Sequence, residues 1–74
     1  MKFEILYEIG NEAADGGELA EVFLNRFLDD VSGLDHSVKM VTNDTEDKSV
    51  MATIETPARV TTEWFENADV AIEA

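Results

Sequence analysis

The sequence predicts an α+β domain in which one antiparallel sheet packs helices against a single face. Three patterns carry this expectation. "KFEILYEI" alternates apolar and polar residues, and "GELAEVFLNRFLDDVS" repeats its apolar residues at helical spacing. Two further alternating runs flank the polar stretch "NDTEDK". Seventy-four residues make one domain, residues 1–74, with room for a single thin core. The chain has no cysteine, so burial of apolar surface must hold the fold without disulfides or thiolate metal sites.

Each element follows from its local pattern. In residues 2–9, Phe3, Ile5, Tyr7 and Ile9 point one way and Lys2, Glu4, Leu6 and Glu8 the other, which is a strand with one buried face. "GNEAADGG" interrupts the alternation and leads into the next element. Over 17–32, Ala20, Phe23, Leu24, Phe27, Leu28 and Val31 share one arc of a helix, opposite Glu18, Glu21, Asn25 and Asp29. Asp15 or Gly17 is its expected N-cap, and Gly33 suits a left-handed stop. Residues 36–43 and 48–55 read as a hairpin with a four- or five-residue turn, because "NDTEDK" lacks an Asn-Gly or Asp-Gly pair. Its inward residues are expected to be Val38, Met40 and Thr42 facing Val50, Ala52 and Ile54.

The last segment is balanced between two readings. Thr56-Pro57 has the form of a helix start, and Val60, Trp64 and Ala68 recur at helical spacing, which predicts a helix over 57–67 and a strand over 69–73. "VTTEWF" is also rich in strand formers, which leaves a one-helix β-α-β-β-β order as the alternative. The first reading gives β-α-β-β-α-β, a ferredoxin-like plait with two helices on one face of a four-stranded antiparallel sheet. Its open outer face then carries Leu6, Val41 and Met51 as an apolar strip suited to a homodimer.

Charge bounds the function. Seventeen Asp and Glu against five Lys and Arg give a formal charge of −12. Such a chain is not expected to bind nucleic acid or anionic lipid directly, and basic protein surfaces are its natural partners. No run approaches the ~18 apolar residues of a membrane span, and no signal-peptide pattern opens the chain, which favours the cytoplasm. Spread evenly over roughly 4,500 Å², the excess charge amounts to about one per 400 Å². Duplex DNA carries about one per 100 Å², so imitation of DNA requires the carboxylates to cluster.

Motifs for chemistry are missing. "NDTEDKSV" spaces its acids wrongly for a calcium loop and has no glycine. His36 is the only histidine, no serine sits in a nucleophile elbow, and "DGGE" has neither the spacing nor the lysine of a phosphate loop. No catalytic residue, metal or cofactor is therefore expected. The expected partner-binding residues are Glu12, Asp15, Glu18, Glu21, Asp29, Asp30, Asp44, Glu46 and Asp47. They form a carboxylate run that lacks the intervening lysines of an ordinary surface helix.

Through "GGELAEVFLNRFLDD", "NDTEDK" and its length and charge, the chain resembles the small acidic inhibitors that phages direct at host nucleic-acid machinery. Anti-CRISPR proteins and DNA-mimicking inhibitors of repair or restriction enzymes are among them, and nuclease immunity proteins and acidic antitoxins share the profile. The resemblance spans the whole chain in composition and carries no residue-by-residue motif. It implies a non-enzymatic inhibitor, monomeric or homodimeric, that acts in the cytoplasm (of the host, if phage-encoded) and blocks the basic nucleic-acid-binding surface of a protein or complex. The alternative is a ferredoxin-like homodimeric module, structural or ligand-responsive. A third reading makes the acidity a solubility adaptation of a salt-loving source.

Overall fold

A computed structural model describes residues 1–74. Strand β1 (Lys2–Glu8) leads through a single 3-10 turn to helix α1 (Gly16–Val31). Strands β2 (Ser37–Asp44) and β3 (Ser49–Glu55) follow, and β4 (Val70–Glu73) closes the sheet. The strand order is β2-β3-β1-β4 and every neighbouring pair is antiparallel. β1 and β2 therefore run parallel with β3 between them, a split β-α-β unit whose crossover is α1.

The architecture is the one-helix β-α-β-β-β alternative. The second helix expected over 57–67 does not form: that segment is irregular apart from one 3-10 turn at Thr62–Trp64. Two physical reasons are visible. Val60, Thr61 and Thr62 are consecutive β-branched residues, which lose side-chain freedom in a helix. The cap bond expected of Thr56 does form, its buried hydroxyl accepting from the Ala58 amide, but Trp64 and Asn67 bond to Asp30 instead of continuing a helix.

Helix α1 begins and ends as its sequence requires. Asp15 caps it by accepting from the Glu18 amide at 2.9 Å, and Glu18 reaches back to accept from the Ala14 amide at 3.0 Å. Gly33 takes φ +78°, so the chain leaves the helix through the left-handed region that glycine enters without steric cost. The buried face, however, is Leu19, Phe23, Phe27, Asp30 and Val31. Ala20, Leu24 and Leu28, expected inside, are exposed. The helix is turned toward the 56–69 connection, whose Phe65 enters the core and meets Phe3 edge-on at 5.1 Å.

The core lies between α1 and one sheet face. Phe3, Ile5 and Tyr7 of β1 and Val50, Ala52 and Ile54 of β3 supply its floor. Tyr7 meets Phe23 and Phe27 edge-on, at 5.6 and 6.4 Å between ring centres. Strand β2 lies beyond this layer and all eight of its residues are exposed. A bulge between Val38 and Met40 shifts its register, placing Val38, Val41 and Asn43 on the helix side and Met40 and Thr42 on the outer side. The expected inward set Val38, Met40 and Thr42 is thus corrected, and Val41 leaves the outer strip expected with Leu6 and Met51.

Candidate acidic interface

Strand direction sorts the carboxylates between the two ends of the sheet. β1 and β2 finish, and β3 begins, at the end that also holds the start of α1. This hairpin end carries Glu8, Glu12, Asp15, Glu18 and Glu21, then Asp44, Glu46, Asp47 and Asp69. Two observations fix Asp69 there: its amide donates to the Leu6 carbonyl, and its carboxylate accepts from the Glu8 amide. Seven of the nine expected partner-binding residues fall in this set. Asp29 and Asp30 fall at the opposite end of α1.

The cations are segregated as well. Lys2, Lys39 and Arg59 belong to the opposite end of the sheet. Lys48 is the one lysine at the hairpin end, and it turns inward, its ammonium donating to the Ala13 carbonyl at 2.8 Å. Arg26 reaches along the helix to pair with Glu12. Nine carboxylates thus stand against Lys48 and one guanidinium, a local net of seven negative charges.

Several of these carboxylates also shape the backbone that presents them. Asp15 and Glu18 hold the helix start, as described above. Asp44 accepts from the Glu46 and Asp47 amides, both at 3.1 Å, and so closes the turn of residues 45–48. Lys48 sits at φ +52°, the one non-glycine residue in the left-handed region, where the hairpin re-enters the sheet. Glu21, Glu46 and Asp47 accept no side-chain hydrogen bond and face solvent. "NDTEDK" is therefore a hairpin turn closed by one of its own acids, with two others free.

Asp30 does not belong to a partner-facing surface. It is 4 % exposed, and its carboxylate accepts from the Tyr7 hydroxyl at 2.7 Å and from the Asn67 amide and side chain at 3.0 and 2.8 Å. Its carbonyl accepts from the Trp64 indole at 2.7 Å. Burial first, and the bond to and charge of Asp30 next, push the Tyr7 hydroxyl well above its ordinary titration range. Adjacent Asp29 is exposed and accepts from the Asn67 side chain at 2.7 Å.

Sequence reasoning gave no place to a hollow beside this network. Asp29, Ser32, Glu63 and Glu66 line it together with Trp64, a residue 41 % exposed. The Thr61 hydroxyl holds exposed Glu63 below its usual carboxylate range. The signal was the adjacent pair Trp64-Phe65, of which one ring can be buried while the other stays out. His36 stands edge-on to Phe27 at 6.1 Å, with Nδ1 2.8 Å from the Leu34 carbonyl, as part of the scaffold.

Nowhere do three His, Asp or Glu side chains converge in a way that would hold a metal ion. No helix is long and apolar enough to cross a membrane. Fold and charge define a class, a small acidic single-helix α+β domain with a carboxylate-rich pole. Comparison with protein families, curated proteins and solved structures returns no match.

Proposed function

We propose that the chain is a non-enzymatic, anti-CRISPR-like inhibitor whose acidic pole occupies the basic nucleic-acid-binding surface of a protein or complex in the cytoplasm. One observation carries this reading. Nine carboxylates gather at the hairpin end, and its single lysine directs its charge into the protein. An ordinary solubility surface intersperses the two signs, whereas this end presents one sign.

Magnitude decides how close the imitation of DNA is. The 4,611 Å² surface holds one excess charge per roughly 380 Å², and half of it, taken as the pole, holds one per about 330 Å². Duplex DNA is about three times denser, so the pole substitutes for a few phosphates and not for a continuous backbone. Fast, salt-sensitive encounter is what such a surface supplies, and contacts of other kinds must add affinity.

The test is a salt titration on a captured partner. The chain is immobilised, exposed to bacterial lysate at low salt, and eluted by a salt step, and the eluate is identified by mass. Binding of a recovered nucleic-acid-binding protein should weaken at least tenfold between about 50 and 500 mM NaCl. An affinity indifferent to salt would remove the electrostatic basis of the reading.

A further inference from the structure

The outer face of the sheet is uncovered. Helix α1 and the 56–69 connection both pack on the opposite face, against Phe3, Ile5, Tyr7, Val50, Ala52 and Ile54. The strand registers arrange the outer face in rows that cross the sheet. One central row is Met40, Thr53, Glu4 and Ile72, and the next is Thr42, Met51, Leu6 and Val70. Five apolar side chains therefore form a band across all four strands, with Met40 and Ile72 more than half exposed. The bulge in β2 supplies Met40 to this band in place of Val41.

Charged rows of different character close the band at its two ends. At the hairpin end the row is Asp44, Ser49 and Glu8. At the other end it is Ser37, Glu55 and Lys2, and Lys39 from the bulge pairs with Glu55 at 3.8 Å. One row is purely acidic and the other holds two cations around one acid.

We infer that this face is a homodimer interface in which a second copy of the chain packs face to face with its strands reversed. The two-fold axis lies in the interface, across the strands. It sets β1 over β1 of the partner, so that Lys2 of each copy meets Glu8 of the other. Lys39 of each copy likewise approaches Asp44 of the other. The apolar rows then cover each other, and the charged rows meet their opposites, which is the self-complementarity an isologous contact demands. Two sheets stacked in this way sit about 10 Å apart with strands within about 30° of antiparallel, and the helices lie outside.

Area supports this occupant. Four strands about 4.8 Å apart and four rows about 6.7 Å apart give a face of about 19 by 27 Å, or about 500 Å² per copy. The total of about 1,000 Å² reaches the threshold of a biological contact and falls in the class of weak, transient interfaces. Glu4 is the one carboxylate within the band, and its desolvation holds the dimer to weak affinity. The interface takes up Glu8 and Asp44 of the acidic pole and leaves Glu21, Glu46 and Asp47 free, so it does not rest on the proposed function.

Sedimentation velocity tests it. The chain should sediment as a dimer at about 100 μM and as a monomer near 1 μM, the range of a small interface. Ile72→Glu should abolish the dimer with the far-UV dichroism unchanged, since the side chain points outward. Lys2→Glu and Glu8→Lys should each weaken the dimer about tenfold, and the double variant should recover the original affinity. A monomer at about 100 μM would overturn the proposal, as would a dimer that survives Ile72→Glu. A double variant no tighter than the singles would overturn the reversed arrangement.

Discussion

The Asp30 carboxylate accepts three hydrogen bonds beside a core of fourteen apolar side chains, and it ties α1, β1 and the 56–69 connection together. Asp30→Ala leaves the Tyr7 hydroxyl and the Asn67 amide without their partner in a nearly dry site. The expected cost is about 2–4 kcal/mol, a large share of the stability of a domain this small. Asp29→Ala, one residue away on the surface, should cost less than about 0.5 kcal/mol. Urea melts of the two variants provide the comparison. Tyr7 gives a pH signature with a definite sign. Its folded pKa lies above the unfolded value of 10.0, so its contribution is complete below pH 10.0 and declines as pH rises past that value toward the folded pKa. Stability measured by urea melts should therefore fall above pH 10.0, and Tyr7→Phe should remove much of that slope. The adjacent pair Asp29-Asp30 reads in the sequence as two surface acids. Only the fold, by bringing Tyr7 and Asn67 to one of them, separates their roles.

The elements were legible to the degree that their signals are local. β1 and the hairpin strands alternate, and α1 has both a capping acid and a terminal glycine. Each formed within a residue or two of its expected bounds. Asp15→Ala should lower stability by about 1 kcal/mol through loss of the helix cap, read as a lower urea midpoint. What local pattern could not supply was rotation and register. Leu24 and Leu28 fit the apolar arc as well as Leu19 does, and the choice among them was made by Phe65 and Asn67 arriving from the far end of the chain. The bulge at Lys39 has no sequence mark, yet it exchanges Met40 and Val41 between faces. The 57–67 segment carried opposite signals, helical spacing against β-branched residues, and its polar ties to Asp30 left it irregular. The acidic pole was legible as residues but not as a surface. Seven of the nine residues share one end because strand direction puts them there, while Asp29 and Asp30 do not.

At the scale of the whole molecule, the charge is asymmetric in sign more than in amount. Acids occur at both ends, and exposed cations occur mainly at the end away from the hairpin. A partner attracted by the net charge of −12 alone would bind either end, whereas a partner of the pole would depend on the free carboxylates of the hairpin and second helical turn. The measurement that separates these is capture from lysate with two charge-matched variants, followed by challenge with duplex DNA. Glu21→Gln/Glu46→Gln/Asp47→Asn removes three free acids of the pole, and Glu63→Gln/Glu66→Gln/Asp29→Asn removes three at the Trp64 hollow. The proposed function predicts that DNA displaces the captured protein, that the first variant loses it by at least tenfold, and that the second retains it. Equal retention by both variants, or a captured protein that duplex DNA leaves in place, would contradict it.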